Sequence, residues 1–322
     1  MDWLTLKTLF EDNKKVLKLE IVNSDGDLNK YIREKDIHRP GLALSGFVEV
    51  FTYKRIQILG NSEITYLNTL EASQRENSIK KVLEFDIPCF IVTNDNDIPK
   101  ELLKIADEKK VCIFRTPLST TSLTQFLSYY LDAKFAPRLT MHGSLVDVSG
   151  VGILFTGRSG IGKSEIALDL VERGHQLVAD DVVNITRQPP DVLIGSGSEM
   201  LKHHMEIRGL GIIDVQNIFG IRSIRMQKRI QVEVRLEEWR DDEEYERIGI
   251  DEEKTKILEV DIPLVRLPIF PGKNITVIAE VIALNQLLKM HGHYTAFDFN
   301  ERLLKKIKSK TDLKQFYFYD LE

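Results

Sequence analysis

The chain of 322 residues has only two cysteines, and it lacks any apolar run near the ~20 residues that a membrane-spanning helix needs. Its first residues include Asp2 and show no basic stretch followed by a cleavage site, so they do not resemble a secretory signal. These absences predict a cytoplasmic protein without a membrane partner. Cys89 and Cys112 lie in separate apolar runs, which predicts two buried free thiols rather than a disulfide or a metal pair.

A basic excess is also missing. The sequence has 44 Lys and Arg against 49 Asp and Glu, for a net charge of -5. Because proteins that bind nucleic acids neutralise phosphates with basic side chains, we expect no nucleic-acid partner. The contents of 43% hydrophobic and 29% charged residues are typical of a globular protein. The chain is too long for one ordinary core, which predicts two domains.

The N-terminal part alternates between two kinds of segment. Strand-like runs rich in Ile and Val lie at 16–22, 55–59, 87–93 and 111–114, and helical spacing occupies 63–85, 100–109 and 122–131. This alternation predicts an α/β domain with a largely parallel sheet. Since this part contains no nucleotide motif, we interpret the domain at 1–132 as structural or involved in assembly.

A proline and a loss of periodicity place the linker at 133–138, ahead of a second domain at 139–322. Two strand-like runs, 139–148 and 151–155, flank Ser149 and Gly150, which predicts a hairpin turn. Further strands are predicted at 176–179 and 230–236. A helix is predicted at 274–290.

The most informative segment, GRSGIGKS at 157–164, fits the pattern G-x-x-x-x-G-K-[ST] between a strand-like run and a helix-like run at 164–173. Glycines let successive backbone N–H groups point at phosphate oxygens, and the helix adds its positive N-terminal end. In this pattern Lys163 reaches the β- and γ-phosphates and the Ser164 hydroxyl meets Mg²⁺. The residues predicted to bind nucleotide are Gly157, Arg158, Ser159, Gly160, Ile161, Gly162, Lys163 and Ser164.

Two adjacent carboxylates, Asp180 and Asp181, end the predicted strand at 176–179. At this end of a strand beside the loop, a carboxylate can meet Mg²⁺ or an attacking hydroxyl group. Neighbouring side chains on a strand point to opposite sides, so we expect different roles for the two. His142, upstream of the loop, is by itself more typical of a structural histidine.

Two further segments leave alternatives open. The run at 205–214 combines Glu206 with Arg208 and two glycines, which suits a backbone close to a ligand with Glu206 binding a cation. It equally suits a bulged strand with a surface ion pair. The segment at 269–274 presents an exposed cation, Lys273, ahead of a helix, and a solvated turn is the equal alternative.

These pieces, in this order, resemble the HPr kinase/phosphorylase family, bacterial enzymes that phosphorylate and dephosphorylate a serine of the phosphocarrier HPr. The matching text is MHGSLVDVSGVGILFTGRSGIGKSEIALDLVERGH, LVADD, MEIRGLGIIDV and PGKNITVIAEVIALN. The decapeptide from Met205 resembles the family's own signature. The N-terminal part is similar through IHRPGLALSGF and RIQILGNSEITYL, so the resemblance covers nearly the whole chain up to about Lys310.

The resemblance implies a bifunctional serine kinase and phosphorylase that uses ATP and Mg²⁺ to control carbon metabolism. The reverse reaction would use inorganic phosphate and release pyrophosphate. It also implies a homohexamer with compact P-loop kinase domains, and metabolite regulation in some members. The implied residues are His142, Lys163, Asp181 and Arg247 for catalysis, Ser164 and Glu206 for magnesium, 157–164 for ATP, and 268–273 for dephosphorylation.

Two residues depart from the family's pattern. Arg158 stands where the family has an acidic residue, and Phe270 stands where a basic or polar residue is common. Two rival functions use the same loop: a small-molecule kinase or plain NTPase, and a non-catalytic regulator gated by ATP. The sequence has no H-R-D or D-F-G motif, which argues against a protein kinase of the eukaryotic type.

Overall fold

The chain divides into two compact units, Met1–Ala136 and Pro137–Glu322, each with its own hydrophobic cores. The structure is a computed structural model, which describes residues 4–198, 202–239, 253–270 and 272–306 apart from 296, 298, 300 and 303. Among these residues, none of the helices combines the length and apolar character that crossing a membrane takes.

The N-terminal unit alternates strands and helices. Its elements are β1 (Leu4–Thr5), α1 (Leu6–Asn13), β2 (Glu20–Ile21), β3 (Tyr31–Ile32), β4 (Ile37–His38), α2 (Gly41–Leu44), β5 (Ile56–Leu59), α3 (Asn61–Thr69), α4 (Ala72–Leu83), β6 (Cys89–Val92), α5 (Lys100–Glu108), β7 (Cys112–Arg115) and α6 (Thr120–Phe135).

The main sheet of this unit has the order β2-β7-β6-β5-β4, in which β4 to β7 are parallel and β2 is antiparallel. Hydrophobic clusters lie on both faces, so the parallel strands β5 and β6 are buried at every residue. The predicted α/β domain with a largely parallel sheet is confirmed. Cys89 and Cys112 are buried free thiols in paired strands, as predicted, and burial raises the pKa of both.

Three predicted elements of this unit need correction. The strand predicted at 16–22 is only β2, and the helix predicted at 63–85 is two helices, α3 and α4. The break between them is stabilised by Arg75, whose guanidinium donates to the Leu67 carbonyl at 2.7 Å and to the Leu70 carbonyl at 2.9 Å. Helix α6 continues to Phe135, so the region predicted as a linker contains the last helical turn.

The C-terminal unit is richer in strands. Its elements are β8 (Arg138–His142), β9 (Ser144–Val148), β10 (Val151–Gly157), α7 (Lys163–Glu172), β11 (Gln176–Ala179), β12 (Val182–Gln188), β13 (Val192–Gly197), β14 (His204–Ile207), β15 (Gly211–Asp214), α8 (Val215–Phe219), β16 (Gln227–Glu238), β17 (Lys254–Ile257), β18 (Val260–Ile269) and α9 (Ile275–Met290).

Its main sheet follows the path β11-β9-β10-β16-β13-β12-β8, with β18 parallel to β16 and β17 antiparallel to β18. The predicted hairpin is confirmed, because β9 and β10 pair antiparallel around Ser149 and Gly150, which both have positive φ. Helices α7 and α9 contribute to one core with β10, including Phe155, Leu170 and Ala279. The sheet therefore brings the ends of β10 and β11 to the N-terminus of α7.

The single strand predicted at 139–148 is wrong, since Gly143 divides it into β8 and β9. Strand β8 pairs with β12, whereas β9 lies between β10 and β11. A Cβ atom on Gly143 would lie 2.6 Å from the Phe155 carbonyl oxygen, so only glycine fits this approach. The division places His142 and Ser144 in different parts of the sheet.

Candidate active site

Strand β10, the loop at 157–162 and helix α7 follow one another in the strand–loop–helix order that the sequence predicts. We call this loop the phosphate loop. Gly157, Gly160 and Gly162 have φ values of 136°, 79° and 104°, which L side chains rarely adopt. A Cβ atom on Gly157 would also lie 2.5 Å from the Leu236 carbonyl oxygen. The glycines thus let the loop curl back from β10 and begin α7, whose free N–H groups make an anion site.

Lys163, the first residue of α7, folds back over this loop. Its Nζ donates to the carbonyl oxygens of Gly157 at 3.2 Å and Arg158 at 3.0 Å. These bonds hold the ammonium at the loop, where a phosphate oxygen can replace a carbonyl as its acceptor. The Arg158 side chain forms an ion pair with Glu238 at the end of β16, so its charge is neutralised within the protein.

Asp180 and Asp181 follow β11 and lie in different surroundings, as expected. Asp180 is 5% exposed, and its Oδ1 accepts from Ser144 Oγ at 2.5 Å and from Ser164 Oγ at 3.1 Å. Burial raises the pKa of Asp180. Asp181 has a positive φ of 63° and a side chain that is 62% exposed. One carboxylate therefore lies against the loop helix and the other faces solvent.

His142 ends β8, directly opposite the start of β12. Its Nδ1 lies 3.6 Å from Asp181 Oδ1, and its side chain is 84% exposed. The Gly143 N–H donates to the Asp181 carbonyl at 3.1 Å, which fixes the two chain segments together. An exposed ring beside a carboxylate differs from the satisfied structural histidine that His142 by itself was more typical of.

Glu206 lies exposed on β14, in a hairpin with β15. The hairpin packs against α7 through the buried Met205, which shares a core with Ile166 and Ala167. Arg208 reaches the phosphate loop, since a Cβ atom on Gly160 would lie 2.6 Å from its Nη2. The segment at 205–214 therefore adjoins the loop, as expected of a backbone that passes close to a ligand.

Lys273 is half-buried rather than the exposed cation that the sequence predicted. Its Nζ donates to the Pro268 carbonyl at 2.9 Å and lies 5.2 Å from the centroid of the Phe270 ring. Burial lowers the pKa of Lys273. Phe270 in turn packs edge-on against Trp239. Pro271, in the same segment, and Arg247, a predicted catalytic residue, lie outside the described residues.

The oxygens of Ser164 and Asp180 form a set of hard ligands that fits Mg²⁺. Asp180 Oδ2 is buried and has no hydrogen-bond partner among the described residues, so it is free to face a cation. Within the same residues, no group of three or more His, Cys, Asp and Glu could hold a metal by itself. A magnesium ion here would need phosphate and water oxygens to complete its ligands, which is its usual manner of binding.

Sequence reasoning missed Ser144. It lies in a buried, strand-like run and belongs to no spacing pattern, so no local signal points to it. Only the pairing of β9 with β11 brings its hydroxyl to Asp180, which is 36 residues away along the chain.

Comparison with known families covers both units. The model described as HPr Serine kinase N terminus matches residues 4–131, and the HPr Serine kinase C-terminal domain matches residues 133–303. An HPr kinase/phosphorylase of Prosthecochloris aestuarii is 50% identical over 314 residues, which cover 97% of this chain and 92% of that protein. The chain belongs to the HPr kinase/phosphorylase family. It is an enzyme, a phosphotransferase of this family, and the resemblance seen in its motifs is confirmed.

Two further proteins show different degrees of similarity to this chain. The HPr kinase/phosphorylase of Chloroherpeton thalassium is 49% identical over 294 residues, covering 91% of this chain and 86% of that protein. The solved structure of the Hpr(Ser) kinase/phosphatase from Coxiella burnetii is 32% identical, covers 51% of this chain and 98% of its own, and has a TM-score of 0.45. Membership in an enzyme family rules against the rival function of a non-catalytic regulator.

Proposed function

We propose that this enzyme phosphorylates a serine of HPr with ATP and dephosphorylates phosphoserine-HPr with inorganic phosphate, releasing pyrophosphate, in the control of carbon metabolism. The observation that carries the proposal is the exposed pair of His142 and Asp181, 3.6 Å apart. Asp181 directly follows Asp180, a buried carboxylate that is hydrogen-bonded to Ser164 at the start of helix α7. An exposed acceptor beside a phosphate loop suits a protein substrate, whose serine must come in from solvent.

In the forward direction the enzyme must position the reactants and neutralise charge. Lys163 binds phosphate oxygens once its ammonium leaves the loop carbonyls. Ser164 and Glu206, with Asp180 alongside, would hold Mg²⁺, which would supply positive charge to the phosphate oxygens. As the serine oxygen bonds to the γ-phosphorus of ATP, the bond from that phosphorus to the bridging oxygen of the β-phosphate breaks and ADP leaves. Asp181 accepts the proton of the serine hydroxyl in this step, and His142 orients this carboxylate or a phosphate oxygen.

In the reverse direction an oxygen of inorganic phosphate attacks the phosphorus of phosphoserine. The bond between phosphorus and the serine oxygen breaks, and pyrophosphate forms. Asp181, which must start this step protonated, donates its proton to the serine oxygen, because the serine side of the displacement is the reverse of the one in phosphorylation. Arg247 belongs to the proposed set of catalytic residues through the family pattern.

ATP, phosphate and pyrophosphate are the small partners in this proposal, with residues 157–164 as their binding loop. HPr is the protein partner, and the enzyme acts as a homohexamer. Light scattering after gel filtration tests the assembly, and the expected mass is six times that of one chain. A monomer or dimer at enzyme concentrations that support activity would contradict the hexamer.

One labelling experiment tests the reaction. The enzyme is incubated with γ-labelled ATP, Mg²⁺ and HPr, and the expected result is acid-stable label on HPr. HPr with its target serine replaced by alanine is the control and should stay unlabelled. Labelled phosphoserine-HPr and inorganic phosphate should then yield labelled pyrophosphate. Transfer to a small molecule instead of HPr would overturn the proposal and favour the remaining rival, a small-molecule kinase or NTPase.

A further inference from the structure

We propose that Ser144 is a positioning residue, which holds the Asp180 carboxylate so that Oδ2 faces the cation bound at Ser164. The inference rests on the proposed magnesium and nucleotide site, and it assigns a role to a residue for which the sequence patterns predicted none. Ser144 itself touches neither the loop nor the reacting groups in this arrangement. It acts through Asp180.

The hydrogen bonds of Asp180 are one-sided. Ser144 Oγ and Ser164 Oγ both donate to Oδ1, at 2.5 Å and 3.1 Å. Oδ2 is buried and accepts from no group among the described residues. A buried carboxylate oxygen without a partner costs free energy, so such an arrangement persists where a ligand satisfies the oxygen. The geometry is that of a carboxylate prepared on one side for a cation.

Strand order explains why Ser144 is the residue that does this. Strand β11, which leads to Asp180, does not neighbour β10, which leads to the phosphate loop, because β9 lies between them. Ser144 is the first residue of β9 and pairs with Phe155 of β10, while the next residue, Leu145, pairs with Ala179 of β11. The Ser144 hydroxyl therefore bridges the gap across which Asp180 reaches Ser164.

The shorter of the two bonds to Oδ1 comes from Ser144, which is fully buried. Ser164 donates its proton to Asp180 and can offer its remaining lone pairs to the cation. Without the Ser144 hydroxyl, the carboxylate would lose the shorter of its two side-chain bonds and could then turn Oδ2 away. Loss of a residue that orients a ligand commonly weakens metal binding by about 10–100-fold. Because Ser164 remains, we expect about tenfold for Ser144→Ala.

The test uses the full-length protein and Mn²⁺, titrated by electron paramagnetic resonance in the presence of a non-hydrolysable ATP analogue. Ser144→Ala should raise the Kd for Mn²⁺ about tenfold, while affinity for the analogue without metal stays unchanged. Thr276→Val is the matched control, because it also removes a buried hydroxyl that donates to an aspartate, Asp169, at 3.0 Å. This control should bind Mn²⁺ as the wild type does.

Two results would overturn the inference. In the first, Ser144→Ala binds Mn²⁺ like the wild type. In the second, it loses metal and metal-free nucleotide binding together, as damage to the fold would cause. Both leave the proposed function intact if the wild type takes up Mn²⁺ with the nucleotide. Failure of the wild type to bind Mn²⁺ would instead overturn the magnesium site and the positioning role together.

Discussion

At the scale of single residues, burial separates side chains that look alike in the sequence. Asp180 and Asp181 are adjacent, yet the first is 5% exposed and bonded to two serines, whereas the side chain of the second is 62% exposed beside His142. Lys163 begins helix α7 and Lys273 lies just before helix α9, and each donates to backbone carbonyls. Because these four side chains have different surroundings, we expect substitutions at them to affect activity and binding differently.

Lys163→Ala should abolish most activity in both directions, by about 10²–10³-fold, because it removes a preorganised charge contact with phosphate. The fold should remain, since the ammonium bonds only to carbonyls of its own loop among the described residues. Initial rates with HPr and with phosphoserine-HPr measure the loss, and circular dichroism checks the fold. Near-normal turnover would show that this loop does not hold the reacting phosphates.

Asp181→Asn should lower kcat of phosphorylation far more than it lowers affinity for ATP. The change deletes a proton acceptor that faces solvent, and leaves the Asp180 contact with Ser164 in place. Rates and nucleotide titrations on the same preparation measure the two effects. Asp180→Asn is the comparison, and it should weaken binding of nucleotide with Mg²⁺. A parallel loss of rate and ATP affinity in Asp181→Asn would assign Asp181 to the metal site or the fold, leaving Asp180 as the candidate base.

At the scale of elements, α7 carries the start of the site and must be held in place along its length. Its N-terminus adjoins Asp180, its apolar face packs on β10, and its C-terminal end is tied to α9. The tie is made by Glu280 of α9, which accepts two hydrogen bonds from Arg173 at 2.8 and 2.7 Å and contacts His175 at 3.0 Å.

Arg173 and then His175 hold the pKa of Glu280 at about 2, below the value of about 4.3 expected when unfolded. Because the folded pKa is the lower one, this carboxylate stabilises the fold above about pH 4.3, and the contribution is lost as the pH falls towards 2. Glu280→Gln should lower the free energy of unfolding by about 1 kcal/mol at pH 7, and by roughly half as much at pH 3. Urea unfolding at both pH values measures it.

Glu172→Gln is the control for Glu280→Gln, because it replaces an exposed glutamate of α7. It should change the free energy of unfolding little at either pH. An equal effect of Glu280→Gln at both pH values would show that the carboxylate contributes by packing and not by its charge.

Lys273, in the segment between β18 and α9, should matter more for dephosphorylation than for phosphorylation. In the reverse direction a phosphorylated partner and free phosphate bring extra negative charge. Lys273→Ala should therefore lower phosphorolysis more than kinase activity, and high salt should reduce the difference if the charge acts through solvent. The exposed Lys254 offers a control, Lys254→Ala. Equal losses in both directions would show that this segment does not distinguish them.

At the scale of the whole molecule, the chain is two units that each bury their own clusters of apolar side chains. Only Ala136 and Pro137 lie between helix α6 and strand β8, so the division falls just after the predicted end of the first domain. The phosphate loop, both aspartates and His142 belong to the second unit.

A protein consisting of residues 137–322 should therefore unfold cooperatively and still bind the ATP analogue with Mg²⁺. Its core of β10, β16, α7 and α9 is complete without the first unit. Thermal unfolding by circular dichroism, with and without nucleotide, measures both properties, and bound nucleotide should raise Tm. A broad, non-cooperative transition would show that this unit needs the other to fold.

The sequence by itself determined the features that depend on neighbours along the chain. Glycine spacing predicted the loop from Gly157 to Ser164, because glycine adopts positive φ without the strain that a Cβ atom brings. The hairpin at Ser149 and the parallel sheet of the first unit followed from turn residues and apolar runs. The family signature from Met205 could also be identified from the sequence, because it is a run of consecutive residues.

Only the tertiary structure decided the features that depend on residues far apart. Gly143 divides a strand because of the Phe155 carbonyl on the neighbouring strand β10. The same is true of the Ser144 bond to Asp180, 36 residues away. Local patterns specify backbone conformation and which face is apolar, whereas strand order determines which polar groups meet, and strand order is a property of the whole sheet.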